Sequence, residues 1–542
     1  MKRMILGVAV MVGISAQFAF GGGRVMSVYL ESIAAMQGQL FQAAQVFDAP
    51  ELGTAPMMMS MMIPGYALVD RDASIGVHIY AGDAGEYGFV LELTPLGSAE
   101  ALLETLLASQ GISLPEPVDG RYVTDQGVAQ VYDTRLLIGK DVSVLDIALA
   151  AGIPAGMPGV PGMIRMQVAP QQLAALFDHL DQMMKQALAE EPEHAEMMQQ
   201  VMGMYRTLFA QMASYELGIG VREHGLEVRS RVIPVPDRAL ARIMQSLQGV
   251  KPAWVESLAQ DNILGVVTGA YEMPEDMLRG LVALYVTWMQ SLPGDFSLEP
   301  DLVQAMFEPT IETAGAPSFM QASMTDGGAF RFSSGMLVDN AAGVLAQMME
   351  VMGSDAYRCS MEMSGITMSQ EPVTRMVDDV AVHRWNMEVN EEVFLRKMEE
   401  ASGAEVGPDQ LALAKKIMEP FLSGYDYAAT AHGVVFGITD DVGISRAIAL
   451  LGADAAADAA ASRTLLDRVD APVVPYAVAR IDVLALYRLV RAFGVEALPA
   501  IARQGEGIVF AAWRQGPGVE QVIQIPASDI QAIRQALNSM TP

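Results

Sequence analysis

Short runs in which apolar and polar residues alternate recur along the chain, and each leads into a segment with helical spacing. Between 163 and 247, the run MIRMQV predicts a strand and two helical segments follow it. YELGIGV and LEVRSRVI then alternate about the turn REHG at 222–225, in which Gly225 supplies the positive φ that a tight hairpin needs. Pro236 and Asp237 precede the amphipathic run ALARIMQSL, which is the chemistry expected at the start of a helix.

The same order of elements recurs twice more. VVPYAVARI at 473–481 predicts a strand, Asp482 caps the next helix, and GIVFAAW and VEQVIQI pair about RQGPG at 514–518. In the middle of the chain, NILGVVTGAY is followed by a helical run, and SFMQASM and AFRFSS flank the turn TDGG at 325–328. We therefore predict an α+β fold of tandem β-α-β-β-α units, which form antiparallel sheets with helices packed on one face.

Segments rich in proline and glycine, such as 152–162 and 292–300, mark seams between these units. The predicted divisions are a signal peptide at 1–21, one or more N-terminal α+β units at 22–160, repeat units at 161–255, 256–355 and 356–455, and a C-terminal repeat unit at 456–542.

In this organisation, seen in stretches such as GLEVRSRVIPVPDRALARIM, the chain resembles large uncharacterised exported bacterial proteins in which a signal peptide precedes repeated α+β units. The resemblance spans most of the mature chain. It implies export and a repeated α+β fold, and it supplies no activity and no site motif.

The N-terminus has the pattern of an export signal. Lys2 and Arg3 precede an uncharged, mostly apolar run at 4–20, and small residues follow, so we expect cleavage after Gly21. An uncleaved anchor is the alternative, because the run approaches the length of a membrane span. We predict no other membrane segment, since the apolar run LVALYVTWMQSL at 281–292 is too short and is typical of a buried helix.

Charge and cysteine content narrow the function further. The chain has 64 acidic against 34 basic residues and a net charge of −30, which disfavours nucleic acid and anionic lipid surfaces as partners. Cys359 is the sole cysteine, so no intrachain disulfide can form, and an inert or buried thiol is expected. The mature protein is expected in the periplasm or outside the cell.

A methionine-rich run at 56–64, PMMMSMMIP, contains Met57, Met58, Met59, Met61 and Met62. Thioethers are soft ligands, so a copper(I) site is one interpretation. Methionine is abundant throughout, with 39 in 542 residues, and it fills irregular apolar space well. That background favours a packing role at a helix end or in a buried strand.

A second candidate metal site combines His179 with Glu190 and His194. On a helix, Glu190 and His194 share a face, which suits a divalent cation. Pro192 interrupts the run, however, and acidic residues at a helix start are favoured by its dipole. The alternative interpretation, which these features favour, is a solvent-exposed helix start without a metal.

Motifs for zinc proteases, phosphate-binding loops, serine hydrolases and dinucleotide binding are missing from the sequence. We therefore predict no catalytic or cofactor-binding residue and no cofactor. The leading hypothesis is a non-enzymatic envelope protein that binds or scaffolds through its extended α+β surface, with an envelope protein or a hydrophobic ligand such as a lipid as partner. The rivals are soft-metal binding and a hydrolase in which His78, His179, His194 or His383 meets carboxylates in one cleft.

Overall fold

A computed structural model describes most of the chain. The described residues are 23–62, 64–81, 87–153, 157–170, 203, 206–258, 262–280, 282–283, 311, 313–324, 330–363, 365–402, 407, 424–453, 465–492, 499, 501 and 505–540. The predicted signal peptide lies outside them, as do most of the apolar run at 281–292 and the seam at 292–300.

The described chain is an α+β protein. Its strands are β1 Gly23–Leu30, β2 Ile75–Ala81, β3 Tyr87–Leu93, β4 Arg121–Thr124, β5 Gly127–Tyr132, β6 Arg135–Gly139, β7 Ile164–Val168, β8 Met212–Arg222, β9 Gly225–Pro234, β10 Asn262–Thr268, β11 Ser318–Met324, β12 Phe330–Leu337, β13 Ile366–Met368, β14 Val373–Val377, β15 Val380–Trp385, β16 Met387–Val389, β17 Tyr425–Ala429, β18 Gly433–Ile438, β19 Ala477–Ile481, β20 Ile508–Gln515 and β21 Gly518–Pro526. Its helices are α1 Ile33–Val46, α2 Pro50–Met62, α3 Ala99–Ala108, α4 Val142–Ala151, α5 Ala239–Ser246, α6 Pro252–Leu258, α7 Ala341–Gly353, α8 Asp355–Met363, α9 Glu391–Ser402, α10 Asp441–Gly452, α11 Val483–Ala492 and α12 Ala527–Met540.

The chain divides into two compact units. Unit 1 comprises Met1–Ala241 and Gln515–Ala527, and unit 2 comprises Arg242–Arg514 and Ser528–Pro542. Unit 1 is therefore completed by a strand, β21, that lies almost at the end of the chain. The five predicted divisions of the mature chain are finer than these two units.

Both units are built on antiparallel strands. In unit 1 the strands lie in the order β4-β5-β6-β3-β2-β1-β7-β8-β9-β21. In unit 2 the order is β14-β15-β17-β18-β12-β11-β10-β19-β20, and β13 and β16 form a separate pair.

In each unit, a strand near the start of the unit lies between two other strands. In unit 1, β1 lies between β2 and β7, and β7 continues into the β8–β9 hairpin. In unit 2, β10 lies between β11 and β19, and β11 continues into β12. In unit 1, then, β1 pairs antiparallel with β7, and in unit 2, β10 pairs antiparallel with β19.

The local chemistry that predicts these elements is present. Gly225 has a φ of 140° at the β8–β9 turn, and Gly516 has a φ of 59° between β20 and β21. Asp482 accepts a hydrogen bond from the Ala485 amide at 2.8 Å, and Asp141 caps α4 through the Val144 amide at 2.9 Å. The turn predicted at 325–328 lies outside the described residues.

Helices pack on both faces of the sheet in unit 1, so the expectation of a single covered face is wrong. Helix α3 packs against Leu93 and Leu136, whereas α4 packs against Val90 and Leu137. Because successive side chains of a strand point to opposite faces, Leu136 and Leu137 lie on different sides. The reason is visible in β3 and β6, whose apolar residues run consecutively instead of alternating.

Among the described residues, no helix combines the length and the apolar character required to cross a bilayer.

Candidate functional site

A buried polar chain in unit 1 brings together residues that lie far apart in sequence. The ring of His78 bonds Ser27 Oγ through Nδ1 at 2.8 Å and Glu92 Oε2 through Nε2 at 2.7 Å. The other carboxylate oxygen of Glu92 accepts from Arg135 Nη1 at 2.7 Å. We call Ser27, His78, Glu92 and Arg135 the His78 cluster.

Strand register builds the His78 cluster. Ser27 on β1 lies directly opposite His78 on β2, and Glu92 on β3 lies opposite Gly76, two residues from His78 on the same face. Gly76 leaves the space in which the carboxylate meets the ring. A Cβ there would lie 2.7 Å from His78 Nε2 and 3.1 Å from Glu92 Oε2.

The electrostatics of the His78 cluster favour a charged Glu92. Burial raises the pKa of that carboxyl, but hydrogen bonds from His78 and Arg135 outweigh burial, and the pKa of Glu92 is lowered. The neighbouring tyrosines respond in the opposite sense, because burial raises the pKa of Tyr29 and raises that of Tyr80 to about 12. Ser27, Tyr29, His78 and Tyr80 are at most 2% exposed, so this face holds neutral hydroxyls around one ion pair.

A serine, a histidine and a glutamate in one hydrogen-bonded chain are the residue types of a hydrolase triad. Here, however, Ser27 and His78 are both 0% exposed. A nucleophile must reach a substrate carbonyl, and neither side chain faces solvent. The arrangement therefore joins three strands through their side chains and does not form an open catalytic site.

A second enclosed carboxylate lies in unit 2. Asp426 on β17 is 0% exposed and accepts from Arg375 Nη1 at 2.6 Å and from Arg384 Nε at 2.9 Å. Arg384 also donates to the Thr439 carbonyl at 2.7 Å, and Arg375 reaches Asp441 at 2.8 Å. Hydrogen bonds to Asp426, opposed by burial, raise the pKa of Arg375. This Asp426 clamp joins β14, β15 and β17 to the start of α10.

A third ionic group crosses β8, β9 and β21 in unit 1. Arg229 donates to Glu227 at 2.9 Å, and Arg231 donates to Glu520 at 2.8 Å. Glu227, Arg229 and Glu520 are all less than 9% exposed. Their charges are compensated within the sheet, as burial of ions requires.

A small cavity opens beside this third group. It has a volume of about 110 Å³ and is lined by Glu31, Gln39, Arg165, Arg222 and Glu227 together with the backbone of 161–163 and Gly220. Arg165 spans it to Glu31 at 2.8 Å. Ligand pockets usually measure about 300–1,000 Å³ and are mostly apolar, so this cavity suits a few water molecules and not a lipid.

The methionine run forms the C-terminal half of α2, which agrees with the predicted helix end. Met57, Met58 and Met61 are 69%, 54% and 77% exposed, so the expectation that these side chains serve as packing is wrong for these three. Pro56, one residue earlier, is buried, and helix α2 thus turns these three methionines to solvent. The side chains of Met59 and Met62 lie outside those described.

The remaining predicted candidates divide into two groups. His179, Glu190 and His194 lie outside the described residues, and within the described ranges no three side chains of His, Cys, Asp or Glu come together as a metal site. His383 bonds Thr374 across β14 and β15 at 2.9 Å and meets no carboxylate group like that of His78. Cys359 is exposed, so of the two alternatives, a buried thiol and an inert thiol, the first is wrong.

Sequence reasoning did not find the partners of His78 or the Asp426 clamp. The sequence does contain a signal for both groups. His78 and Asp426 are each a single polar or charged residue at an inward position of an otherwise apolar strand. In β2 the inward residues are Gly76, His78 and Tyr80, and in β17 Asp426 lies between two tyrosines. Pairing them with the correct partners requires the strand register, which the sequence does not provide.

Comparison with known proteins adds no relative from which a function might be transferred. No protein-family model matches the chain, and neither a curated protein nor a solved structure shows significant similarity to it.

Proposed function

We propose that the protein is an exported, non-enzymatic envelope protein that binds or scaffolds a partner through its extended α+β surface. One observation carries the proposal: the central carboxylates of the three groups, Glu92, Asp426 and the pair Glu227 and Glu520, are buried and bind arginines that hold strands together. The Asp426 carboxylate and the His78 ring, both 0% exposed, have their hydrogen-bonding capacity engaged by neighbouring strands. Side chains that are engaged in this way make the fold more rigid, and they are not available to act on a substrate.

The repeated architecture is part of this proposal. The pairings β1–β7 and β10–β19 support it, because tandem β-α-β-β-α units would bring the first strands of two units together in this way. In the described residues, the strand order has ten strands in unit 1 and nine in unit 2, and repeated modules commonly use such long surfaces for binding.

Export is supported by the N-terminal sequence. A basic start, an uncharged apolar run and small residues before Gly22 are the features that a signal peptidase reads. The mature chain is expected to begin at Gly22, and its acidity favours solubility in an aqueous envelope compartment.

Native mass spectrometry of the protein purified from its own envelope tests the proposal. We expect a mature N-terminus at Gly22 and a stoichiometric complex with a second envelope component. The matched control is a variant that lacks residues 2–21, which remains in the cytosol and is expected to be recovered without that component. A bare monomer from the envelope would contradict the binding role, and an intact N-terminus in a cytosolic fraction would contradict export.

A further inference from the structure

Three thioether side chains share the exposed surface of α2 without packing against a core. Met57 and Met61 are four residues apart, and Met58 and Met61 are three apart. Side chains at these spacings are neighbours on a helix surface, with Cβ atoms about 5–6 Å apart. Methionine has three rotatable side-chain bonds, so the three sulfur atoms can approach a common point above the helix.

The sequence on either side of these methionines is free of charged, histidine and cysteine side chains. Between Glu51 and Asp70 the sequence contains no Asp, Glu, Lys, Arg, His or Cys. The nearby hydroxyl of Ser60 is already used, since it donates to the Met57 carbonyl at 2.7 Å. Thioether donors without carboxylate or imidazole partners select Cu(I) and reject hard cations such as Mg²⁺ and Ca²⁺.

Helix α2 combines a buried proline with exposed methionines. Pro56 lies inside α2, where a proline removes one backbone hydrogen bond of the helix. Exposed positions of a helix normally carry polar residues. In α2, Pro56 is buried, and Met57, Met58 and Met61 face solvent.

We propose that Met57, Met58 and Met61 form a binding site for one Cu(I) ion. The net charge of −30 attracts a monovalent cation to the protein. The thioethers are neutral, so the positive charge of the bound ion is balanced by the protein as a whole and not by the ligands. No electron transfer is part of the proposal. It goes beyond the proposed function, because the protein can scaffold with or without the ion.

Leucine substitution distinguishes metal binding by the three sulfur atoms from an apolar contact made by the same side chains. The variant M57L/M58L/M61L keeps side chains of similar volume, apolar character and helix propensity while removing all three sulfur atoms. The control is M376L, which removes a 65% exposed thioether from β14 in the other unit. Circular dichroism checks that both variants fold as the natural chain does.

The measurement is an anaerobic titration of the mature protein with Cu(I) in competition with a chromophoric Cu(I) chelator. We expect the natural chain and M376L to withdraw one equivalent of Cu(I), and the triple variant to bind about tenfold more weakly or not at all. A natural chain that withdraws no Cu(I), or a triple variant that withdraws it equally well, would overturn the proposal. If the triple variant still assembles with its envelope partner, the metal inference and the scaffold proposal are tested separately.

Discussion

At the scale of single residues, the polar groups inside the sheets act as cross-links between strands. His78 and Glu92 satisfy one another in a region without solvent, and Gly76 is required beside them because any larger residue would meet both. The sequence predicts β2 and β3 but not this contact. Which residue lies opposite which depends on register, and a slip by one residue would place His78 on the other face.

Substitution E92Q tests the role of the His78 cluster in stability. The folded pKa of Glu92 is lowered, so its contribution is fully present above the unfolded value of about 4.3 and is lost as pH falls through the folded pKa. At pH 7 we expect E92Q to lower the free energy of unfolding of unit 1 by about 3–5 kcal/mol, because it breaks a buried ion pair. The readout is amide hydrogen exchange of β1–β3.

The control for E92Q is D146N, which breaks the exposed pair between Asp146 and Arg121 and is expected to change stability by about 1 kcal/mol or less. The difference between the natural chain and E92Q should narrow below about pH 4, as Glu92 becomes protonated. An equal difference at pH 3 and pH 7 would show that the charge of Glu92 does not stabilise the sheet.

At the scale of elements, hairpins and helix starts could be predicted, whereas the way in which helices cover the sheets could not. Gly225 and Asp482 determine local geometry that depends only on neighbouring residues. Apolar residues run consecutively along β3 and β6, so both faces of these strands can bury against a helix. The sequence does not specify which helix covers which face. The Asp426 clamp likewise joins β15 and β17, which are separated in sequence by helix α9.

Substitution D426N tests the Asp426 clamp. The amide keeps the shape of the carboxylate but removes the charge that compensates Arg375 and Arg384. We expect a loss of about 3–5 kcal/mol in the stability of unit 2, measured by hydrogen exchange at β15 and β17. The control D441N touches the same Arg375 but is 69% exposed, and it should cost about 1 kcal/mol or less. Equal effects of D426N and D441N would contradict the clamp.

At the scale of the whole molecule, unit 1 depends on a strand from the far end of the chain. Residues of β21 from Val519 to Pro526 pair with β9, from Val232 back to Gly225. The predicted order of tandem units does not predict the pairing of β21 with β9. It implies instead that the strands of the last unit pair only with one another. Pairing between strands so far apart in sequence depends on the tertiary structure, which local sequence patterns do not predict.

Removing residues 515–542 tests this dependence. We expect the amides of β9 that face β21 to lose most of their protection from hydrogen exchange, because the truncation exposes that edge of the strand. The amides of β2 and β3 in the same unit are an internal control and should be affected less. Removing only residues 541–542 should change neither set. Unchanged protection of β9 in the longer truncation would show that β21 is dispensable for unit 1.

The central claim is that the enclosed Ser27, His78 and Glu92 stabilise the fold and do not catalyse a reaction. A fluorophosphonate reagent tests this most directly, because it forms a covalent adduct with an activated, accessible serine. Intact mass spectrometry of the folded mature protein should show the same absence of adduct in the natural chain as in S27A, with a known serine hydrolase labelled in the same tube. An adduct on Ser27 that disappears in S27A and H78Q would contradict the account and identify a hydrolase.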